Sequence, residues 1–259
     1  MNKRKYKVGI AQIPSSAGDI DENESRCLHA CLEAKKKEVS LLVFPELVWS
    51  GYFLSKAAFY SLAAPATRDS RPVRFFRELS RKLEGGIVFS FPERDRNHLF
   101  ITCGFVDEKN HTLHFYRKSK LWGKEKYIFT PGEKNYEPLP TQFGQIGLLV
   151  CYDIEFPEPA RTLAKKETDI IICPSVWSNQ AETRWNVQLP CRALDNQCFV
   201  VGANTIHSTA CGQSQVCDPY GNVVTKASSH EKQILTTFID RDTIKQARQD
   251  IPYLEELDF

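Results

Sequence analysis

The sequence lacks the features that mark several classes of protein. No stretch approaches the roughly 18 consecutive apolar residues that span a bilayer, so no membrane-spanning segment is expected. The 34 basic and 32 acidic residues leave a net charge of only +2, which argues against nucleic acid or another polyanion as a partner. The chain also has no Gly-rich phosphate loop and no cluster of residues spaced as metal ligands.

The cysteines do not form a pattern typical of a disulfide framework or a zinc site. There are nine of them, scattered and without a CxxC pair. The opening MNKRKYKVGIAQIP is interpreted as a first strand rather than a signal peptide, so reduced thiols in the cytoplasm are expected. Cys27 and Cys31 are spaced as one helix face. None of the six histidines stands where a partner for a catalytic cysteine is expected.

Short apolar strands alternate with amphipathic helices along the chain, without a linker or internal repeat. Helices are predicted over 21–37, 71–84, 158–167, 182–197 and 241–251. Strands are predicted over 6–13, 39–46, 85–94, 99–107, 111–117, 144–151, 168–177, 198–206 and 232–240, with a hairpin over 214–227. This alternation predicts one α/β domain over residues 1–259, with mixed sheets covered by helices. The C-terminal tail, about 245–259, is interpreted either as a dimer contact or as a fraying end.

Cys151 follows a continuous apolar run, 146–150, that predicts a buried strand. Catalytic groups of α/β sheets gather at the carboxyl ends of strands. A helix that begins soon after Cys151 adds positive potential, which favours the thiolate over the thiol. Position alone therefore makes Cys151 a candidate nucleophile.

A nucleophilic thiol also needs a base and a group that neutralises the oxyanion. Two other predicted strands end in such groups. One ends at Glu46, directly after Pro45, and the other leads to Lys118, with Glu125 seven residues further on. If the three strand ends meet at one rim, the carboxylate can take the thiol proton while the ammonium compensates the developing negative charge.

The segments FPE, YRKSKL and CYDIEFPE resemble the three signature segments of the nitrilase superfamily of carbon–nitrogen hydrolases, in the same order. EKYIFTPG, PSVW, CRALDNQCFVVGAN and DPYGNVV resemble further blocks of that family, so the likeness runs from about residue 6 to about 240. The resemblance implies a four-layer α-β-β-α sandwich with two mixed β-sheets. It also implies a homodimer paired through a helical layer, and chemistry that needs neither a metal nor an organic cofactor.

The resemblance assigns a role to each matching residue. Glu46 would be the general base, Lys118 would stabilise the oxyanion, and Cys151 would form a thioester with the substrate. The backbone N–H of Tyr152 would assist Lys118. Glu125 would orient the substrate or the hydrolytic water.

Three further residues are left with alternative interpretations. Trp177 and Tyr52 are either pocket residues that position substrate or plain core residues. Lys120 stands where family members often have histidine, and it is expected behind the reacting groups, although an extra cation would favour acidic substrates. Asp153 is expected to shape the turn after the nucleophile rather than to do chemistry.

The sequence CYD after the predicted strand resembles the amidase branches, whereas nitrile-cleaving members commonly carry CWE. The leading hypothesis is therefore an amidase that converts a small aliphatic or ω-amide to a carboxylic acid and ammonia. An N-carbamoyl amine amidohydrolase, a nitrilase and a non-catalytic binding protein on the same fold remain alternatives. A thiol-redox role for Cys151 is also open, with Cys173 as the nearest other thiol in sequence. Substrate selectivity is expected from the loops 49–68 and 122–140.

Overall fold

A computed structural model describes residues 3–257 of the chain. The strands are β1 (Lys5–Gln12), β2 (Leu41–Val43), β3 (Gly86–Asp95), β4 (His98–Asp107), β5 (Thr112–Arg117), β6 (Leu139–Thr141), β7 (Gly144–Leu148), β8 (Ile170–Ser175), β9 (Phe199–Asn204), β10 (Ile206–His207), β11 (Ala210–Cys211), β12 (Gln215–Cys217), β13 (Val223–Lys226) and β14 (Gln233–Asp240). The helices are α1 (Ile20–Lys36), α2 (Lys56–Leu62), α3 (Arg71–Leu83), α4 (Glu125–Ile128), α5 (Pro157–Ala164), α6 (Glu182–Asn196) and α7 (Arg241–Asp250).

Twelve of these strands form two six-stranded sheets, each of which is mixed, and β10 and β11 pair with each other as a separate antiparallel ribbon. The first has the order β14-β1-β2-β3-β4-β5, in which β2 runs parallel to β1 and β3 and the remaining pairs are antiparallel. The second has the order β13-β12-β9-β8-β7-β6, with β7, β8 and β9 parallel. The predicted hairpin over 214–227 is the antiparallel pair β12 and β13.

Helices cover the outer face of each sheet, and apolar side chains fill the space between the sheets. Helix α3 packs on β3 and β4 as well as on α1. It buries Val73, Phe76 and Leu79, at the three-residue spacing of an amphipathic helix. On the other side, α5 contacts α6, which packs on β9. Between the sheets, the Tyr6 and Phe143 rings meet at 5.0 Å. The predicted four-layer α-β-β-α sandwich is confirmed.

Two predicted strands end three residues earlier than the sequence indicated, and both of these differences lie at the candidate site. The strand predicted over 39–46 ends at Val43, and the strand predicted over 144–151 ends at Leu148. After each strand the backbone turns sharply, with a positive φ of 49° at Leu47 and of 47° at Cys151. Apolar runs therefore predicted the buried segments correctly, but they did not reveal where the regular strand ends and the backbone turns.

The predicted tail begins inside the last helix, α7, and continues as turns through residue 257. The buried Gln197 side chain donates hydrogen bonds to the Ala247 and Ile251 carbonyls, which ties the end of α7 to the helical layer. Residues 258–259 of the predicted tail lie outside the described part of the chain. Within residues 3–257, no helix combines the length and the apolar character that crossing a membrane requires.

Candidate active site

The structure brings Glu46, Lys118 and Cys151 together from three different strand ends. Glu46 lies in the turn after β2, Lys118 directly follows β5, and Cys151 opens a short 3-10 helix, Cys151–Glu155, shortly after β7. Strands β2 and β5 belong to the first sheet and β7 to the second. The site therefore depends on the face-to-face packing of the two sheets, because this packing brings the ends of β2, β5 and β7 close to one another.

Lys118 is the centre of the cluster. Its Nζ lies 2.7 Å from Glu46 Oε1 and 2.8 Å from Glu125 Oε1. The residues are almost fully buried, with exposed fractions of 0% for Lys118, 1% for Glu46, 3% for Glu125 and 7% for Cys151. The two hydrogen bonds hold the buried ammonium in one position. Its removal would leave two buried negative charges without a partner, which is energetically costly.

Each Glu46 oxygen has one hydrogen-bond donor. Oε1 accepts from Lys118, and Oε2 accepts from the backbone N–H of Val176, at 2.9 Å. Val176 follows strand β8, and the next residue, Trp177, is held by the side chain of Asn204. The carboxylate of Glu46 is therefore positioned from both sheets.

Glu125 has both of its oxygens engaged. Oε1 accepts from the Tyr52 hydroxyl at 2.6 Å as well as from Lys118, and Oε2 accepts from the Trp122 N–H at 2.8 Å. Three donors directed at this carboxylate hold it in one orientation. Of the residues predicted to position substrate, Tyr52 is thus in direct contact with the cluster.

Asp153 joins the segment that carries Cys151 to the segment that carries Lys118. Its carboxylate accepts from the N–H of Val150 at 3.0 Å, which confirms its predicted role in the turn. It also accepts from the N–H of Ser119 at 3.2 Å and of Lys120 at 2.8 Å. The hydroxyls of Ser119 and Tyr116 complete the set, both at 2.9 Å. This second role is not visible in the sequence, because the contact spans more than thirty positions along the chain and no local pattern signals it.

Burial sets the protonation of the reacting groups. It raises the pKa of Glu46 to about 7, against the opposing effect of Lys118. Burial and the neighbouring Glu46 carboxylate raise the pKa of Cys151 well above its usual value. Burial alone would lower the pKa of Lys118, but Glu125 and Glu46 overcome this effect and raise it, so Lys118 stays an ammonium.

The prediction of a stabilised thiolate at Cys151 is therefore wrong. Burial and the Glu46 carboxylate outweigh the lowering effect of Lys118 on the Cys151 pKa, which favours the thiol over the thiolate. The Glu46 carboxylate, whose own pKa is raised to about 7, lies beside this thiol.

The remaining predicted residues surround the site in different ways. The Tyr152 ring packs between Trp122, at 4.9 Å, and Phe156, at 5.0 Å. The Lys120 ammonium lies over the Phe156 ring, 4.4 Å from its centre. The indole of Trp177 lies in the core against Trp185 and donates to the Ala181 carbonyl, so its role in substrate positioning stays a prediction.

A buried thiol, a carboxylate and an ammonium thus lie together at one rim of an α-β-β-α sandwich, and these are the group types that thiol-dependent hydrolysis requires. Residues 7–249 match the family model described as carbon-nitrogen hydrolase. The chain belongs to this family and, with it, to the nitrilase superfamily.

Known proteins resemble the chain over nearly its whole length. An (R)-stereoselective amidase of Pseudomonas sp is 29% identical over 96% of this chain and 90% of its own. The omega-amidase NIT2 of Mus musculus is 27% identical, covering 97% and 94%. The crystal structure of Saccharomyces cerevisiae Nit3, a member of branch 10 of the superfamily, superposes with a TM-score of 0.91 at 28% identity, covering 100% of this chain and 98% of that one. Relatives named nitrilase lie in the same range of identity, so names alone do not select a substrate.

Proposed function

We propose that this protein is an amidase that hydrolyses a small primary amide to a carboxylic acid and ammonia through a Cys151 thioester. The observation that carries the proposal is the position of Lys118 Nζ, 2.7 Å from Glu46 and 2.8 Å from Glu125 in a buried site beside Cys151. This arrangement supplies a base, a cation for the oxyanion and a nucleophile within one cluster.

In the first half of the reaction, Glu46 takes the Cys151 proton while the sulfur attacks the amide carbon. The oxyanion that forms is stabilised by the Lys118 ammonium and by the backbone N–H of Tyr152. Glu46 then gives its proton to the nitrogen, the C–N bond breaks and ammonia leaves. A pKa of about 7 suits Glu46 to both directions of proton transfer near neutral pH.

In the second half, water replaces ammonia. Glu46 removes a proton from the water, which attacks the thioester carbon, and Lys118 again stabilises the oxyanion. The C–S bond breaks, the carboxylic acid leaves, and Cys151 recovers its proton. Glu125, held by Lys118, Tyr52 and Trp122, orients the substrate or the hydrolytic water.

Ammonia release from a panel of small amides, nitriles and N-carbamoyl amines tests this function. We expect release from at least one neutral amide and none from a Cys151→Ala variant. Turnover of nitriles or carbamoyl amines without turnover of amides would replace the proposal by one of its two alternatives. If no compound is cleaved while the fold is intact, the non-catalytic alternative is favoured.

We further propose that the described fold is a single domain, that two copies form a homodimer through a helical layer with the C-terminal tail at the contact, and that the protein resides in the cytoplasm. The nine cysteines, all free thiols, support the last point. Light scattering at micromolar concentration tests the dimer, and a monomeric mass would contradict it. Fractionation of the source cells tests the compartment.

A further inference from the structure

Two cavities of different chemistry flank Phe129 near the proposed active site. The first has a volume of about 270 Å³, and the apolar side chains of Phe53, Leu54, Phe59 and Ile128 line it. The second, of about 460 Å³, is lined by three lysines, Lys120, Lys126 and Lys134, together with Tyr152. Phe129 lines both cavities. The apolar cavity would accept a neutral, apolar acyl group, whereas the lysines of the other cavity would attract an anion.

The apolar cavity adjoins the buried cluster through two of the residues that line it. Glu125 and Tyr52 line it, and Glu125 is bonded to the Lys118 ammonium at 2.8 Å. The lysine-lined cavity is bordered by Ser119 and Tyr152, the residues that follow Lys118 and Cys151. The Ser119 hydroxyl bonds to Tyr136 at 2.8 Å and to Asp153, so it is part of the contacts that join the Cys151 segment to the Lys118 segment.

The walls of the apolar cavity disfavour a negatively charged substrate group. Two charged residues line it, Glu125 and the exposed Lys124. The Glu125 carboxylate is already satisfied by three donors, and its charge would repel a second carboxylate. A carboxylate placed among Phe53, Leu54 and Ile128 would also lose its hydration, whereas methylene groups gain from the same burial.

We infer that this cavity holds the acyl side chain of the substrate, and that the enzyme prefers neutral, apolar acyl amides to amides with a distal carboxylate. The inference rests on the proposed amidase function and selects one substrate class within it. It gives Leu54 and Ile128 the role of specificity-determining residues. It also places the acyl side chain outside the lysine-lined cavity.

The test compares two amides of equal chain length, pentanamide and the monoamide of glutaric acid. We expect kcat/KM for pentanamide to exceed that for the half-amide by roughly tenfold or more. Leu54→Arg places a cation in the cavity and should reduce this ratio or reverse it. Lys126→Gln, which removes a lysine of the other cavity, is the matched control and should leave the ratio unchanged.

An equal or higher kcat/KM for the half-amide would overturn the inference, and a drop for the half-amide in Lys126→Gln would place the acyl group in the lysine-lined cavity. The ratio in the unmodified protein decides the point even if Leu54→Arg fails to fold. If neither amide is hydrolysed, the proposed function fails separately. Calorimetric titration of the same compounds into Cys151→Ala then decides: tighter binding of pentanamide supports the cavity assignment, and tighter binding of the half-amide, or binding of neither, overturns it.

Discussion

The side chain of Asn204 holds the backbone of Trp177 at both of its polar groups. Its Oδ1 accepts from the Trp177 N–H at 2.8 Å, and its Nδ2 donates to the Trp177 carbonyl at 3.3 Å and to the Gly212 carbonyl at 2.8 Å. The residue is fully buried. Since the N–H of the preceding residue, Val176, bonds to Glu46, Asn204 positions the proposed base without touching it.

Replacing Asn204 by alanine should move the pH dependence of hydrolysis. The Val176 hydrogen bond lowers the pKa of Glu46, so a loosened Val176 lets that pKa rise further above its present value of about 7. Glu46 must be deprotonated to accept the thiol proton, and the acidic limb of kcat/KM should therefore shift to higher pH. The measurement is a pH–rate profile of Asn204→Ala beside the unmodified protein.

Ser214→Ala provides the control for a purely structural effect. The Ser214 hydroxyl is also fully buried and bonds to the Asn204 backbone, but its hydrogen bonds do not include Trp177. This variant should lose stability while it keeps the acidic limb in place. A limb that is unchanged in Asn204→Ala, or that moves equally in both variants, would contradict the positioning role.

The unmodified enzyme should itself gain activity as pH rises through about 7. Below this value Glu46 is protonated and cannot take the Cys151 proton, since burial raises the Glu46 pKa to about 7, well above that of an exposed glutamate. The apparent pKa is read from kcat/KM against pH for any amide that is turned over. An acidic limb near pH 4 would mean that Glu46 ionises as an exposed carboxyl does, against the observed burial.

Lys118 should stabilise the fold as well as the oxyanion. Lys118→Met leaves Glu46 and Glu125 buried beside each other without their cation, and breaking such a buried pair typically costs about 3–5 kcal/mol. Urea unfolding at pH 8 should show this loss. The double variant Glu46→Gln/Lys118→Met should recover part of it, because one of the two stranded charges is gone. Additive effects of the two substitutions would show that the charges do not interact.

Much of the architecture was predictable from residue patterns because buried strands and amphipathic helices are local features. The helices α1, α3 and α6 lie within a residue or two of their predicted bounds. Helix α2 was not predicted, since its seven residues bury only Phe59 and leave no apolar stripe. The short strand β6 was missed for a related reason: it contains Pro140 and spans three residues.

The identities of the clustered side chains were also predictable, but their protonation and their supports were not. Glu46, Lys118 and Cys151 each follow an apolar strand, and that pattern is visible in sequence. The raised pKa of Cys151 depends on how deeply the packed sheets bury it, which no linear pattern reports. The contacts of Asn204 depend on long-range packing in the same way, so its role becomes visible only in the folded chain.

Asp153 provides a test of whether Cys151 and Lys118 must be held at a fixed position relative to each other. Asp153→Asn replaces one carboxylate oxygen by an NH₂ group that faces donors such as the N–H groups of Val150 and Ser119 or the Tyr116 hydroxyl. At least one buried donor is then left unsatisfied, at a cost of about 1–3 kcal/mol.

We expect Asp153→Asn to lower kcat by roughly tenfold or more while KM changes little, since a small shift between Cys151 and Lys118 affects the reaction more than it affects binding. Steady-state kinetics and urea unfolding of the same preparation separate the two effects. Asp69→Asn removes the same charge from an exposed loop. It should change neither kcat nor the stability to urea. A variant that loses stability but keeps its kcat would mean that Asp153 supports the fold alone, and that the short helix after Cys151 holds the nucleophile in place without help from the Lys118 segment.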